Sequence, residues 1–290
     1  MTALLEEISR RSAVKLYRAV YGETYMMEEK YLICEDSLEG IFTGIYEAYA
    51  LREGHEHVHI QIGEEENFRL FAVYLHIMPD PVKTEKVVQT LRSRLGEHVY
   101  HTLCRAAASC YPDKGEAVYR TVVDGLTAGS GRRVLGNFKN PYVARCFELA
   151  RFTANEAHYE IEFIRFQELA PEKTGKSAVL FSRIGPKNNV VPFVMPHFAD
   201  RLSIENFMVY DENRKLFGVH PAKEDWYLVS AGEEFTLKEP DLSEKEADYQ
   251  ELFRAFHRTI GIKSRENRKL QRQMCAYRYQ DYMVEFAQKG

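Results

Sequence analysis

Residues 263 to 282, KSRENRKLQRQMCAYRYQDY, gather cations, amides and aromatics into one short tract. Arg265, Arg268, Lys269, Arg272 and Arg278 offer charge to phosphates, and a guanidinium also presents a planar fork that stacks on a base. Asn267 and Gln271 carry paired donor and acceptor groups of the kind that read base edges, and Tyr279 adds a stacking face. These residues are the candidates for nucleic-acid binding. From Arg258 to Asp281 the net charge is +5, whereas the whole chain carries −4. Such local positive potential favours a specific anionic contact over diffuse adhesion. A solvated helical face would have the same composition. The stretch 233–251, with eight carboxylates, is also close enough in sequence to pair with the tract.

Other groups suited to chemistry are more dispersed. Arg151, Asn155, His158, Glu162 and Arg165 recur at three and four, so successive helical turns align two guanidiniums, an imidazole and a carboxylate. That line suits phosphate binding or proton transfer; it equally suits a salt-bridged face docked on a sheet. Asn189, His197 and Asp200 follow a turn-like PKNN segment and either line a pocket or satisfy local backbone groups. His158, Glu162, His197 and Asp200 are the catalytic candidates, and Arg151, Arg165 and Asn189 the pocket candidates. His55, His57 and His59 alternate and would share one strand face. Histidines of exposed strands and loops are common, however, and no metal is assigned to them. No CxxC pair or CxxxCxxC triplet occurs, so neither a four-cysteine zinc site nor a radical-SAM cluster is expected in this chain, and no cofactor is assigned. Cys104 and Cys110 read as buried structural thiols.

The elements that would position these groups alternate in type. A helix over about 4–20 reads as an appendage, so residues 1–29 are set apart from a single domain over 30–290. Tyr31 to Cys34 predicts a strand. Asp36 and Glu39 have capping-box spacing ahead of Ile41, Ile45 and Tyr49. Val58 to Ile62 and Leu70 to Ile77 predict strands, followed by a helical series from Lys83 or Thr84 through Leu95, Cys104 and Val123. TAGSGRR at 127–133 lacks the P-loop pattern and reads as a connector. Asn140 and Pro141 open a helix that should run to about Leu169. From Ala178 to Ser230 the runs VLFSRI, VVPFVM, NFMVYD, LFGV and WYLVS predict strands of a small, mostly antiparallel sheet. Ser243 and Glu246 cap a last long helix whose buried face should be Tyr249, Phe253, Phe256 and Ile260. The expected class is α+β and largely helical.

At 45% hydrophobic and 28% charged, the composition is that of an ordinary globular protein. No apolar run is long enough to span a bilayer, and charged residues interrupt the N-terminus where a signal peptide would be apolar. The five scattered cysteines suit reduced thiols. A cytoplasmic protein without a membrane partner is expected.

In order along the chain, YLICEDSLEGIFTGIYEAY, NEAHYEIEFIRF, PKNNVVPFVMPHFADR and RENRKLQRQMCAYRYQDYM resemble a bacterial family of DNA-metabolism proteins, over roughly residues 30 to 286. The family looks like a companion of a radical-SAM DNA modification or repair protein, and its domain is also found fused to uracil-DNA-glycosylase-like domains. Its recurrent positions fall here on Glu39, Gly40, His158, Arg165, Phe166, Asn189, Pro192, His197, Phe198, Arg265, Asn267, Leu270, Gln271, Arg272, Arg278 and Tyr279. Arg268, Ala276 and Gln280 depart from its pattern. The resemblance implies DNA and a radical-SAM protein as partners in repair or base modification. Three roles remain open: a DNA-binding accessory protein, a glycosylase- or nuclease-like enzyme, and a protein-interaction scaffold. The GxDPYH-type motif of uracil-DNA glycosylases is absent from the sequence.

Overall fold

The computed structural model describes residues 28–63, 69, 71–129, 131–170, 179–232, 234–237 and 241–286. The helix expected over 4–20 lies outside them. The fold is α+β and mainly helical, with two small sheets.

The first sheet has β1 (Glu29–Cys34) at its centre, between β2 (Val58–Ile62) and β3 (Ala72–Ile77). Both pairings are parallel, with Leu32 opposite Ile60 on one side and Leu75 on the other. Parallel strands need a crossover, and α1 (Leu38–Ala50) supplies it between β1 and β2. The cap of α1 is Ser37, whose hydroxyl accepts from Gly40 N at 2.9 Å, and not Asp36. The Asp36 carboxylate is instead taken by the buried Lys114 ammonium, which also donates to Ser109 O at 2.6 Å.

The helical series divides into α2 (Pro81–Leu95), α3 (Glu97–Ala107) and α4 (Lys114–Ala128). α2 begins earlier than its apolar pattern suggests, because Asp80 caps the N–H groups of Val82 and Lys83 and Pro81 suits the first turn. Gly96, at φ +87°, separates α2 from α3, and Gly129, at φ +63°, ends α4. The expected connector at 127–133 is largely helical, since α5 (Gly131–Gly136) follows directly.

α6 (Pro141–Phe163) is capped by Asn140 as predicted. It stops at Phe163 rather than Leu169 because Ile164 turns extended, at ψ 125°, and the chain enters β4 (Gln167–Glu168). This helix joins two apolar cores. Cys146, Leu149 and Ala150 belong to the first, with β1, α1 and α2 to α4; Ala157 belongs to the second, with Ile184, Val194, Met195, Phe198 and Phe207.

The second sheet orders β4, β5 (Leu180–Ile184), β6 (Phe207–Asp211), β7 (Leu216–His220) and β8 (Tyr227–Ser230). β5 and β6 are parallel and its other pairings antiparallel, so this sheet is mostly antiparallel as expected, while the first sheet is all parallel. The run VVPFVM is not a strand. It forms the first half of α7 (Val191–Arg201), the crossover between β5 and β6. Pro192 is accepted in the first turn, and the buried Val191, Val194, Met195 and Phe198 keep helical spacing.

α8 (Glu244–Ile260) starts at Ser243, which accepts from Glu246 N at 3.1 Å as its capping box predicts. Its orientation differs from expectation. Glu246 and Gln250 are buried, whereas Tyr249 is 63% and Phe256 56% exposed, with Phe253 and Ile260 also exposed. Polar contacts decide this face, because Glu246 bonds Arg165 at 3.1 Å and accepts from Gln250 Nε2 at 2.9 Å. The chain closes with α9 (Arg268–Met274) and α10 (Tyr277–Gln280). Among the described residues no helix is long and apolar enough to cross a membrane.

Close packing of α1 on β1 gives a direct check. A Cβ on Gly44 would lie 2.4 Å from the buried Cys34 Sγ, while one on Gly136 meets nothing within 4 Å. Gly44→Val should lower stability by about 1–3 kcal/mol through overpacking. Gly136→Ala should remain within about 0.5 kcal/mol of the parent in urea unfolding.

Candidate nucleic-acid interface and its buried acidic anchor

The basic tract divides into an inward and an outward part. Tyr279 is 5% exposed and packs on the α6 rings Tyr159 and Phe163, with centroids at 5.9 and 5.3 Å. Arg278 donates to the Tyr279 hydroxyl at 2.7 Å and pairs with Glu156 at 3.2 Å. Gln280 Nε2 donates to Cys275 O at 2.8 Å, and the Tyr282 hydroxyl donates to Glu212. Arg278 and Tyr279, predicted to contact nucleic acid, therefore clip the tail to the body.

Glu156 is the receiving group. It sits on α6, 3% exposed, and accepts from Lys187 N at 3.1 Å, Asn188 N at 2.7 Å and Asn188 Nδ2 at 2.6 Å. The same loop is held from its other side by the β6–β7 turn. Asn213 Nδ2 and Arg214 Nη1 donate to Pro186 O at 3.0 and 3.1 Å. Arg214 also pairs with the fully buried Asp211 at 3.1 Å. One turn beyond Glu156, Glu160 is 4% exposed. Burial, reinforced by the Glu156 charge, pushes its carboxyl up to about 8, with Arg278 acting in the opposite sense. Burial likewise pushes the Tyr279 phenol up to about 12.

The outward part consists of Arg265, Arg268, Lys269, Gln271 and Arg272, all exposed. Among the described residues, no ion pair joins these cations to the carboxylates of α8. Asn267 is occupied as the cap of α9, its side chain accepting from Leu270 N at 3.0 Å. Arg268, Gln271, Arg272, Tyr277 and Gln280 line an open concavity of about 590 Å³. The Arg272 guanidinium lies over the Tyr277 ring, 5.8 Å from its centroid. Cations, an amide and an aromatic face thus share one surface.

The remaining candidates are dispersed. His158 pairs with Glu162 at 3.1 Å on the outer face of α6, where Arg151 and Asn155 are also exposed. Arg165 leaves that line, because the helix has ended, and turns to Glu246. His197 and Asp200 are exposed on α7, with His197 set edge-on against Phe198. Asn189 donates its backbone N–H to Ala108 O at 2.8 Å, and its side-chain oxygen is buried without a partner. Among the described residues, no hydrogen bond or ion pair links the His158–Glu162 pair to His197 or Asp200.

The three alternating histidines do not share a strand face, because His55 and His57 lie in a 3-10 turn and only His59 is on β2. His55 meets the Tyr119 hydroxyl at 2.7 Å, His57 meets Glu29 at 3.1 Å, and His59 bridges Glu29 and Glu116 at 3.0 Å each. Cys104 is buried as expected, whereas Cys110 is exposed beyond the end of α3.

Residue type alone does not single out Glu156, Glu160, Asn188, Asp211 and Arg214. A signal exists for the first two: they continue the buried series Cys146, Leu149 and Thr153 at steps of three and four, so their carboxylates fall on the apolar face.

These features define an α+β protein with a cationic, aromatic-edged surface anchored through a buried carboxylate. The chain belongs to the family described as "Domain of unknown function (DUF4130)", whose profile matches residues 112–285. No curated protein and no solved structure matches it. The match begins just before α4 and includes the whole of α6, the second sheet and the tail.

The anchor predicts opposite results for its two carboxylates. Glu156→Ala strands Arg278 and the 187–188 donors and should cost roughly 3–5 kcal/mol. Glu160 is raised in the folded protein above its ordinary 4.5 to about 8, so the folded state holds a proton that the unfolded chain releases. Stability should therefore fall as pH rises from about 4.5 to about 8, by at most roughly 1.4 kcal/mol per pH unit. Glu160→Gln should flatten that slope in urea titrations between pH 5 and 8.

Proposed function

We propose that this is a DNA-binding accessory protein in DNA repair or base modification that acts with a radical-SAM partner. The observation that carries the reading is the set of exposed cations Arg265, Arg268, Lys269 and Arg272, with no carboxylate partner among the described residues, beside the Tyr277 ring. Phosphates would displace only water from these side chains, so the desolvation cost is small and the counterion gain large. Tyr277 supplies a sequence-tolerant stacking face, which favours an unpaired strand. The resemblance to DNA-metabolism proteins supports DNA as the polyanion and a radical-SAM protein as the partner.

One observation favours a scaffold component within this role. α8 exposes Tyr249, Leu252, Phe256 and Ile260 next to the cationic surface. Such a stripe suits the docking of a protein. A partner seated there would meet DNA held by α9.

Fluorescence anisotropy of labelled single-stranded and duplex DNA at two salt concentrations tests the reading, with Arg265→Glu, Arg268→Glu and Arg272→Glu combined in one variant. Because these positions are exposed, the variant should keep its unfolding midpoint. Wild-type binding should weaken with salt by a log–log slope of about 0.7–0.9 per phosphate contact, and the variant should lose binding. Absence of salt-sensitive binding by the wild type would sink the claim and leave protein docking as the role of this surface.

A further inference from the structure

A second cavity, separate from the open surface of α9, brings arginines from three distant parts of the chain together. Arg165 follows α6, Arg183 lies on β5 and Arg254 on α8, and all three line a cavity of about 260 Å³ with Gln167, Gln250 and Asp281. We propose that this cavity binds a phosphate monoester of mononucleotide size. The proposal goes beyond the DNA-binding reading and stands without it, since it uses none of Arg265, Arg268, Lys269 or Arg272.

Each guanidinium is oriented by one edge. Arg165 gives Nη2 to Glu246 at 3.1 Å and lies over the Phe253 ring at 5.3 Å. Its Nη1 is buried and has no acceptor. Arg254 gives Nε to Val284 O at 3.3 Å and Nη2 to Gln250 Oε1 at 3.1 Å, and no ion pair to a carboxylate is formed by it among the described residues. Arg183 lies 3.6 Å from Glu212 and over the Tyr282 ring at 5.7 Å.

A buried guanidinium nitrogen without an acceptor is costly, and a tetrahedral dianion supplies several acceptors to planar forks already held in place. Glu246 and Glu212 offset two of the cations, and Asp281 lines the cavity itself. The ligand must therefore be strongly anionic and compact to compete. A phosphate monoester near neutral pH, with a charge of about −1.5 to −2, meets that requirement better than a carboxylate. The volume lies just under the usual small-molecule range of about 300–1,000 Å³, which suits one phosphorylated sugar or nucleotide with part of it reaching solvent. Asp281 also lines the concavity of α9, so the two sites adjoin.

Calorimetric titration with dTMP, thymidine and inorganic phosphate provides the test, using the full chain, Arg254→Gln, Arg183→Gln and the triple glutamate variant of the tail. dTMP should bind, thymidine should not, and inorganic phosphate should compete with dTMP. Each arginine variant should weaken dTMP binding about tenfold or more, as expected for loss of a charge-assisted hydrogen bond, while the tail variant should bind dTMP as wild type does. Arg183 is half exposed, so its variant keeps the test open if Arg254→Gln does not fold. Equal binding of thymidine, failure of phosphate to compete, unchanged dTMP affinity in a folded arginine variant, or no dTMP binding would each overturn the proposal. Loss of DNA binding in the tail variant with dTMP binding intact would separate this site from the DNA surface.

Discussion

The arrangement of the second half of the chain depends on one buried carboxylate. Glu156, on the long helix α6, holds the backbone of Lys187 and Asn188, the Asn188 amide and the Arg278 guanidinium at once. Burying a carboxylate costs several kcal/mol, which only well-placed donors offset. Here the donors come from the segment entering α7 and from the C-terminal tail. The interaction therefore fixes relative position more than it adds net stability. It determines where the tail returns to the body, and so where α9 and its cations project. Glu160 enforces the same economy: burial, reinforced by the negative charge already present on that face, pushes the second carboxyl up to about 8.

The same helix accounts for the union of two cores of different construction. Its N-terminal half packs on α3 and α4 in the core that includes the parallel sheet, and its C-terminal half packs in the core of the mixed sheet and α7. The family match from residue 112 does not follow that division, because α4 contributes Ala117, Val118, Tyr119 and Val122 to the first core. A segment containing only the matched residues would expose this face of α4. The β1–β3 sheet thus covers apolar surface that the matched region requires to have covered.

Local signals in the sequence suffice where backbone chemistry is decided locally. Asn140, Ser243 and the runs that became β5 to β8 behave as their types predict. Such signals do not suffice where tertiary contacts decide. Val190 to Met195 have strand-like composition, yet Pro192 and the phase of Phe198 make them helical. On α8 the aromatic stripe has the strongest periodicity, but Glu246 and Gln250 face inward because Arg165 awaits them there. In the tail, residue type alone could not separate Arg268 and Arg272, which remain on the surface, from Arg278 and Tyr279, which are consumed by the anchor. That distinction requires knowledge of Glu156, 122 positions earlier than Arg278 in the numbering. For the first sheet, residue type carries no strand direction: a parallel sheet and an antiparallel one can be built from equally apolar runs.

The clip at Arg278 and Tyr279 has a thermodynamic consequence. With α8 on one side and the anchored α10 on the other, α9 is restrained at both ends before any ligand arrives. Less backbone entropy is then lost when its cations meet an anion than in a tail free at one end. Association at this surface should therefore be dominated by ion release, unlike that of a basic tail that folds as it binds, for which ordering consumes about 2–5 kcal/mol of the interaction.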